Sequence, residues 1–124
     1  MVKFFLANPD LVYADSWPIP RFATHSFLLS LEVCFKAYYQ IDIEYTYFGK
    51  PQLATSNYAE KLLKAKATVQ GIELSNIYMI GDNPKSDIKG ANMKGWVSIL
   101  VKTGVFKGPE NDAENPATHI VEDL

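Results

Sequence analysis

The stretch covering residues 77–87 constrains the fold of this chain more than any other. Ile77-Tyr78-Met79-Ile80 is a short apolar run with the composition of a buried strand, and it passes directly into Gly81-Asp82-Asn83-Pro84, residue types that favour turns. Ser86 and Asp87 open a helical stretch stopped by Gly95, and residues 96–101 form a second apolar run. Strand, helix and strand in that succession predict a parallel α/β sheet. Open sheets of this kind collect ligands beyond the carboxyl ends of their strands, which is where Asp82 and Asp87 would stand. A hard cation such as Mg²⁺ takes oxygen ligands, commonly one or two carboxylates with waters and phosphate oxygens. The two carboxylates are therefore candidate Mg²⁺ ligands, and Lys50, set between Gly49 and Pro51, is a candidate partner for a phosphate.

The rest of the chain repeats the same alternation. Residues 3–7 (Lys-Phe-Phe-Leu-Ala) read as a strand closed by Asn8-Pro9-Asp10, followed by a loop to Phe22 that Pro18 and Pro20 make stiff and irregular. Over residues 26–39, Phe27, Leu28, Leu31, Cys34, Phe35 and Tyr38 recur at helical spacing, and Glu32 with Lys36 forms a favourable pair one turn apart. This spacing predicts an amphipathic helix with Cys34 as a buried core thiol. Residues 43–48 suit a strand that delivers Lys50 at its end. Leu53, Tyr58, Ala59, Leu62, Leu63 and Ala67 then trace a second helical face, stopped by Gly71. Residues 118–121 read as a last short strand.

Composition narrows the function. A chain of 124 residues with 48% hydrophobic and 13% aromatic content can bury a core and is not of disordered type. A net charge of -2 lacks the basic footprint of a nucleic-acid binder. One cysteine excludes an internal disulfide framework. No apolar stretch is long enough to span a bilayer, and no secretory leader is evident, so the chain reads as soluble and intracellular. His25 and His119 lack partners at a spacing that suggests a metal site or a triad.

Gly49-Lys50-Pro51 followed by Gly81-Asp82-Asn83-Pro84-Lys85-Ser86-Asp87-Ile88 resembles the third and fourth motifs of the haloacid dehalogenase (HAD) phosphatase superfamily. Upstream, Asn8-Pro9-Asp10 and Asp15-Ser16-Trp17-Pro18-Ile19-Pro20-Arg21-Phe22 are similar to class IIA members, most of all to the mitochondrial branch typified by the cat-eye-syndrome critical region hydrolase. The resemblance implies a partial HAD-like, Rossmannoid parallel-sheet core with a remnant of a class IIA cap, residues 1–45 ending the cap and residues 46–124 forming the carboxyl-terminal half of the core. It implies Mg²⁺-dependent hydrolysis of a small phosphorylated metabolite, and a mitochondrial location. Under it Lys50 is catalytic, Asp82 and Asp87 hold metal, and Asp15, Trp17, Arg21 and Asn83 contact substrate.

Each of these residues also has a structural reading. Asp82 suits an ordinary Asp-Asn-Pro turn, Asp87 complements a helix amino terminus, Lys50 suits a solvated surface, and Trp17 suits a stiffened loop with a buried ring. Ala23-Thr24-His25 stands where the resemblance leads to Gly-x-Gly, which gives this loop less backbone freedom. The family's nucleophile lies in an Asp-x-Asp motif on a strand end, and none occurs in this sequence. The expectation is therefore of a fragment, inactive by itself, whose open sheet edge would favour self-association or pairing with a complementary half. The competing expectation is a non-catalytic binding or assembly module derived from the same fold.

Overall fold

The computed structural model describes residues 3–124, which form two compact units divided between Gly49 and Lys50. The architecture is mixed α/β with parallel sheets and three α-helices.

In the first unit, β1 (Phe4–Leu6) pairs in parallel with β4 (Tyr45–Tyr47), Phe4 facing Tyr45 and Leu6 facing Tyr47. Aromatic side chains suit this pairing because neighbouring rings stack edge to face: Phe4 and Tyr45 have centroids 5.9 Å apart. Leu6 is the buried member of β1, and its carbonyl accepts the Phe48 N–H at 2.7 Å, extending the ladder past β4.

The segment between residues 8 and 22 is not wholly irregular, contrary to the sequence expectation. β2 (Val12–Tyr13) and β3 (Arg21–Phe22) pair antiparallel, and the Ala23 N–H continues the pairing to Leu11 O at 2.8 Å. Strands of two residues are too short to leave a periodic signature. Pro18 and Pro20 lie in the connecting loop, where a missing N–H breaks no ladder bond. The helix α1 (Thr24–Tyr39) follows and ends at Gln40, whose positive φ of 58° closes the last turn by donating its N–H to Lys36 O.

No residue of α1 is buried, and Cys34 is exposed. The expectation of a buried core thiol is thus corrected. Helical spacing identifies an apolar stripe correctly but carries no information on what covers it.

In the second unit, α2 (Leu53–Gln70) ends at Gly71. A φ of 66° there lets its N–H reach Ala67 O and Thr68 O, a left-handed cap that glycine adopts without a side-chain clash. Three parallel strands follow in the order β5 (Tyr78–Gly81), β6 (Val97–Val101), β7 (His119–Val121). Between β5 and β6 the chain crosses through a five-residue π-helical turn (Pro84–Ile88) and α3 (Lys89–Lys94), so the helix expected from Ser86 is wider at its start than an α-helix.

Ile88 and Leu100 are fully buried and pack with Ala117, and Phe106 closes over them. A polar clamp fixes β7 beside β6. The fully buried Ser98 donates its N–H to Thr118 Oγ1 at 3.2 Å and its hydroxyl to Asn92 Oδ1 at 2.9 Å, and its Oγ accepts the Thr118 N–H at 3.0 Å. Asn92 in turn donates to Pro116 O at 2.8 Å. With its hydrogen bonds made internally, the buried hydroxyl specifies register rather than opposing burial.

Candidate active site

The site grows from the carboxyl end of β5. The strand carries the chain to Gly81, Asp82 follows, and Asn83 turns the backbone into the π turn by accepting the Lys85 N–H on its own Oδ1 at 3.0 Å. Pro84 fits the first position of that turn because no intrahelical donor is needed there. The wide turn has its own bonds: the N–H groups of Asp87 and Ile88 both reach Asn83 O, at 2.9 and 3.4 Å. Asp87 is thereby set back against the end of its own strand.

Asp87 is 3% exposed, and both of its oxygens are engaged. Oδ1 accepts a charge-assisted hydrogen bond from Lys50 Nζ, and Oδ2 accepts the Asn83 N–H at 3.1 Å. A carboxylate this deep is tolerated because it is paired and bonded. The Lys50 side chain, whose ammonium Asp87 holds, keeps 43% of its surface exposed. Gly81 makes the room: a Cβ there would lie 2.3 Å from the Asp87 Cβ and Cγ.

Asp82 is held differently. Its Oδ2 accepts the Val105 N–H at 2.6 Å, and its main-chain carbonyl accepts the Phe106 N–H at 3.0 Å, both from the loop after β6. The first bond leaves Oδ1 outside it. A Cβ on Gly104 would come within 1.8 Å of Asp82 Oδ2, so only glycine fits beside this carboxylate.

The structure thus brings together Lys50, Asp82, Asn83 and Asp87, with Lys85 and Lys89 exposed nearby in sequence. The contributions of Gly81, Gly104 and the Val105 N–H escaped the sequence reading. Parallel pairing of β5 with β6 places the loops after both strands at one sheet edge. That topology was the available signal, but a main-chain donor leaves no mark in residue type.

Asp15, Trp17 and Arg21 lie on the hairpin of the first unit. Arg21 Nη1 is 3.6 Å from Asp15 Oδ2, with both side chains about half exposed. Trp17 is 60% exposed, so the buried-ring alternative for this loop is set aside.

Whether these residues suit Mg²⁺ can be judged from the donor set. Among the described residues no three His, Cys, Asp or Glu side chains gather as a metal cluster. Mg²⁺ needs few protein ligands, since waters and phosphate oxygens complete its shell. Asp82, with one oxygen anchored and one outside that bond, fits such a role. Asp87 has both oxygens committed within the protein.

Comparison with known proteins decides the lineage: the family model described as HAD-hydrolase-like matches residues 47–124. The chain belongs to this family. It is 38% identical over 122 residues to a Schizosaccharomyces pombe protein described as a cardiolipin synthase (CMP-forming) / mitochondrial hydrolase fusion, covering 97% of this chain and 20% of that one. It is 31% identical over 147 aligned positions to a mitochondrial hydrolase of Saccharomyces cerevisiae, covering 99% of this chain and 41% of the relative. The crystal structure of a possible sugar phosphatase of the HAD superfamily from Cytophaga hutchinsonii superimposes with a TM-score of 0.69 at 26% identity, over 98% of this chain and 42% of that one. This HAD-like chain therefore spans about a fifth to two-fifths of the curated relatives it matches. Among its described residues no helix is long and apolar enough to cross a membrane.

Proposed function

We propose that this chain carries the lysine- and cation-bearing portion of a HAD class IIA phosphomonoester hydrolase. The observation that supports it best is the Lys50–Asp87 pair beside Asp82, all on one loop cluster at the carboxyl end of a parallel sheet. Asp87 acts as the partner that aims Lys50. The Lys50 ammonium binds a phosphoryl oxygen of the substrate and stabilises the negative charge that builds there during transfer. Asp82 is the residue that would hold Mg²⁺, its Oδ1 lying outside the bond to Val105, whereas both Asp87 oxygens are committed to Lys50 and Asn83. Bound there, the cation would supply further charge neutralisation at the phosphate.

Residues 1–45 are assigned as the end of the cap and residues 46–124 as the second half of the catalytic core. On that assignment Asp15, Trp17 and Arg21 contact the leaving-group portion of a small phosphorylated metabolite. Asn83 contributes through its position in the loop, its Oδ1 being occupied by the Lys85 N–H. The names of the yeast relatives favour a mitochondrial setting.

The family's nucleophile and general acid are carboxylates of an Asp-x-Asp motif, which these 124 residues do not contain. The chain alone is accordingly proposed to be inactive, and activity to require those carboxylates in trans or by fusion. The test is hydrolysis of p-nitrophenyl phosphate with Mg²⁺, by the chain alone and by the chain fused to the Asp-x-Asp half of a relative. Turnover only in the fusion supports the reading. Mg²⁺-dependent turnover by the chain alone, abolished by Asp82→Ala, would overturn it and require another nucleophile.

A second reading, an assembly module, draws on one observation: α1 exposes Phe27, Val33 and Tyr38, each by two-thirds or more of its surface. Size-exclusion chromatography of the chain and of Tyr38→Asp over a concentration series separates the two readings, because an oligomer assembled through the exposed face of α1 dissociates in the variant, whereas one paired through an open sheet edge does not.

A further inference from the structure

Asp82 is gripped by a loop to which no role has been assigned. The turn after β6 places three features against this one residue: the Val105 N–H on Oδ2, the Phe106 N–H on the main-chain carbonyl, and Gly104, whose missing side chain leaves the space that Oδ2 fills. The loop is itself anchored. Phe106 packs on the buried cluster of Ile88, Leu100 and Ala117, and Lys107 Nζ donates to the carbonyls of Lys102 and Thr103 at 3.3 and 3.4 Å. A donor fixed at 2.6 Å to one carboxylate oxygen selects the rotamer of the whole side chain.

We propose that the Gly104-Val105-Phe106 turn is a positioning element for Asp82, locking Oδ2 inside the protein so that Oδ1 is the oxygen left for a divalent cation. The inference rests on the cation-binding reading of Asp82 given above. It adds that the affinity of the site is set by a loop distant in sequence, as outer-shell partners set the basicity and orientation of metal ligands elsewhere. Because the grip is made by main-chain N–H groups and by the absence of a Cβ, side-chain truncation in this loop would not reveal it. Only a change that adds bulk at residue 104 or removes the acceptor tests it.

The experiment has two arms, both on the 124-residue chain and neither needing turnover. Amide hydrogen exchange followed by NMR reads the clamp directly: Asp82→Ala should accelerate exchange of the Val105 N–H about tenfold, whereas Lys85→Ala should not. Unaltered Val105 exchange in Asp82→Ala would overturn the proposal. Paramagnetic broadening by Mn²⁺, used as the probe cation, reads the consequence: signals of Asn83 and Val105 should broaden, and Gly104→Ala should weaken the apparent Mn²⁺ affinity by about tenfold or more. Gly90→Ala is the matched control, since its added methyl meets nothing closer than 3.6 Å. Wild-type affinity in Gly104→Ala would also overturn the proposal. If the wild-type chain shows no broadening at Asn83 and Val105, the cation reading of Asp82 fails instead, and the exchange arm alone judges the clamp. If Gly104→Ala does not fold, the exchange arm again decides.

Discussion

Residues 81–88 and residues 15–21 both carry candidate site residues, yet they are built in opposite ways. In the first, Pro84, Ser86, Asp87 and Ile88 are buried, and the loop is bonded to itself, to Lys50 and to the turn after β6. In the second, every residue is exposed and one ion pair of 3.6 Å joins its two ends. The difference suits the two tasks proposed for these segments. Groups that act on developing charge gain from being fixed in advance, because reorganisation then costs nothing during the reaction. Groups that meet the variable part of a substrate can remain exposed, and binding energy orders them.

The largest effect expected from this contrast is in the buried loop. In a fusion completed with an Asp-x-Asp half, Lys50→Ala and Asp82→Asn should each lower kcat by about 10²-fold or more. Lys85→Ala should be nearly silent. Steady-state kinetics on p-nitrophenyl phosphate checks this, and equal losses for Lys85 and Lys50 would show that the wrong lysine had been assigned.

Stability offers the next test. Gly81→Ala forces a methyl into the Asp87 side chain at 2.3 Å, and overpacking of this kind costs about 1–3 kcal/mol. Urea denaturation of the chain should show a lower midpoint with unchanged slope. A midpoint equal to wild type would mean that the loop is looser than its hydrogen bonds imply.

A smaller effect concerns acid. Hydrogen bonds from Lys64 and Lys94, at 2.6 and 2.5 Å, hold the Glu60 carboxyl down to about 2. A folded-state value below the unfolded one stabilises above the ordinary carboxylate pKa of about 4.3 and loses that contribution as pH falls toward the folded value. Glu60→Gln should therefore flatten the decline in stability between about pH 4.3 and about pH 2 while leaving the site loop intact. Thermal midpoints of both chains across that window measure it. An unchanged acid slope would show that the pair is screened by solvent.

Smallest of all should be the stability change at the hairpin. Trp17→Ala and Asp15→Asn should each shift unfolding by no more than about 0.5 kcal/mol, as for exposed positions and surface ion pairs. In the completed fusion, Trp17→Ala should instead alter kcat/KM unevenly across sugar, glycerol and nucleotide monophosphates. A uniform loss on all of them, with a large stability change, would place Trp17 in a core and collapse the contrast between the two regions.

Much of the frame was written in the order of residues. Apolar runs bounded by turn formers located every strand of the second unit to within about two residues. Gly71 and Gly95 marked helix ends because a left-handed residue closes the last turn most easily when it has no Cβ. The loop carrying Asp82 and Asp87 was legible for the same local reason: an apolar run followed by Gly-Asp-Asn-Pro can only be a strand end and a turn.

Tertiary structure alone decided which groups meet. The pairing of Lys50 with Asp87 spans 37 residues, and the grip of Val105 on Asp82 spans 23, distances over which local patterning is silent. It also decided that Cys34 and Trp17 are exposed, because helical spacing and aromatic type show what could be buried, whereas burial depends on what the rest of the molecule lays against it. Gly104 states the division most plainly. In sequence it is one more loop glycine, and only the close approach of a carboxylate from another strand shows why nothing larger fits.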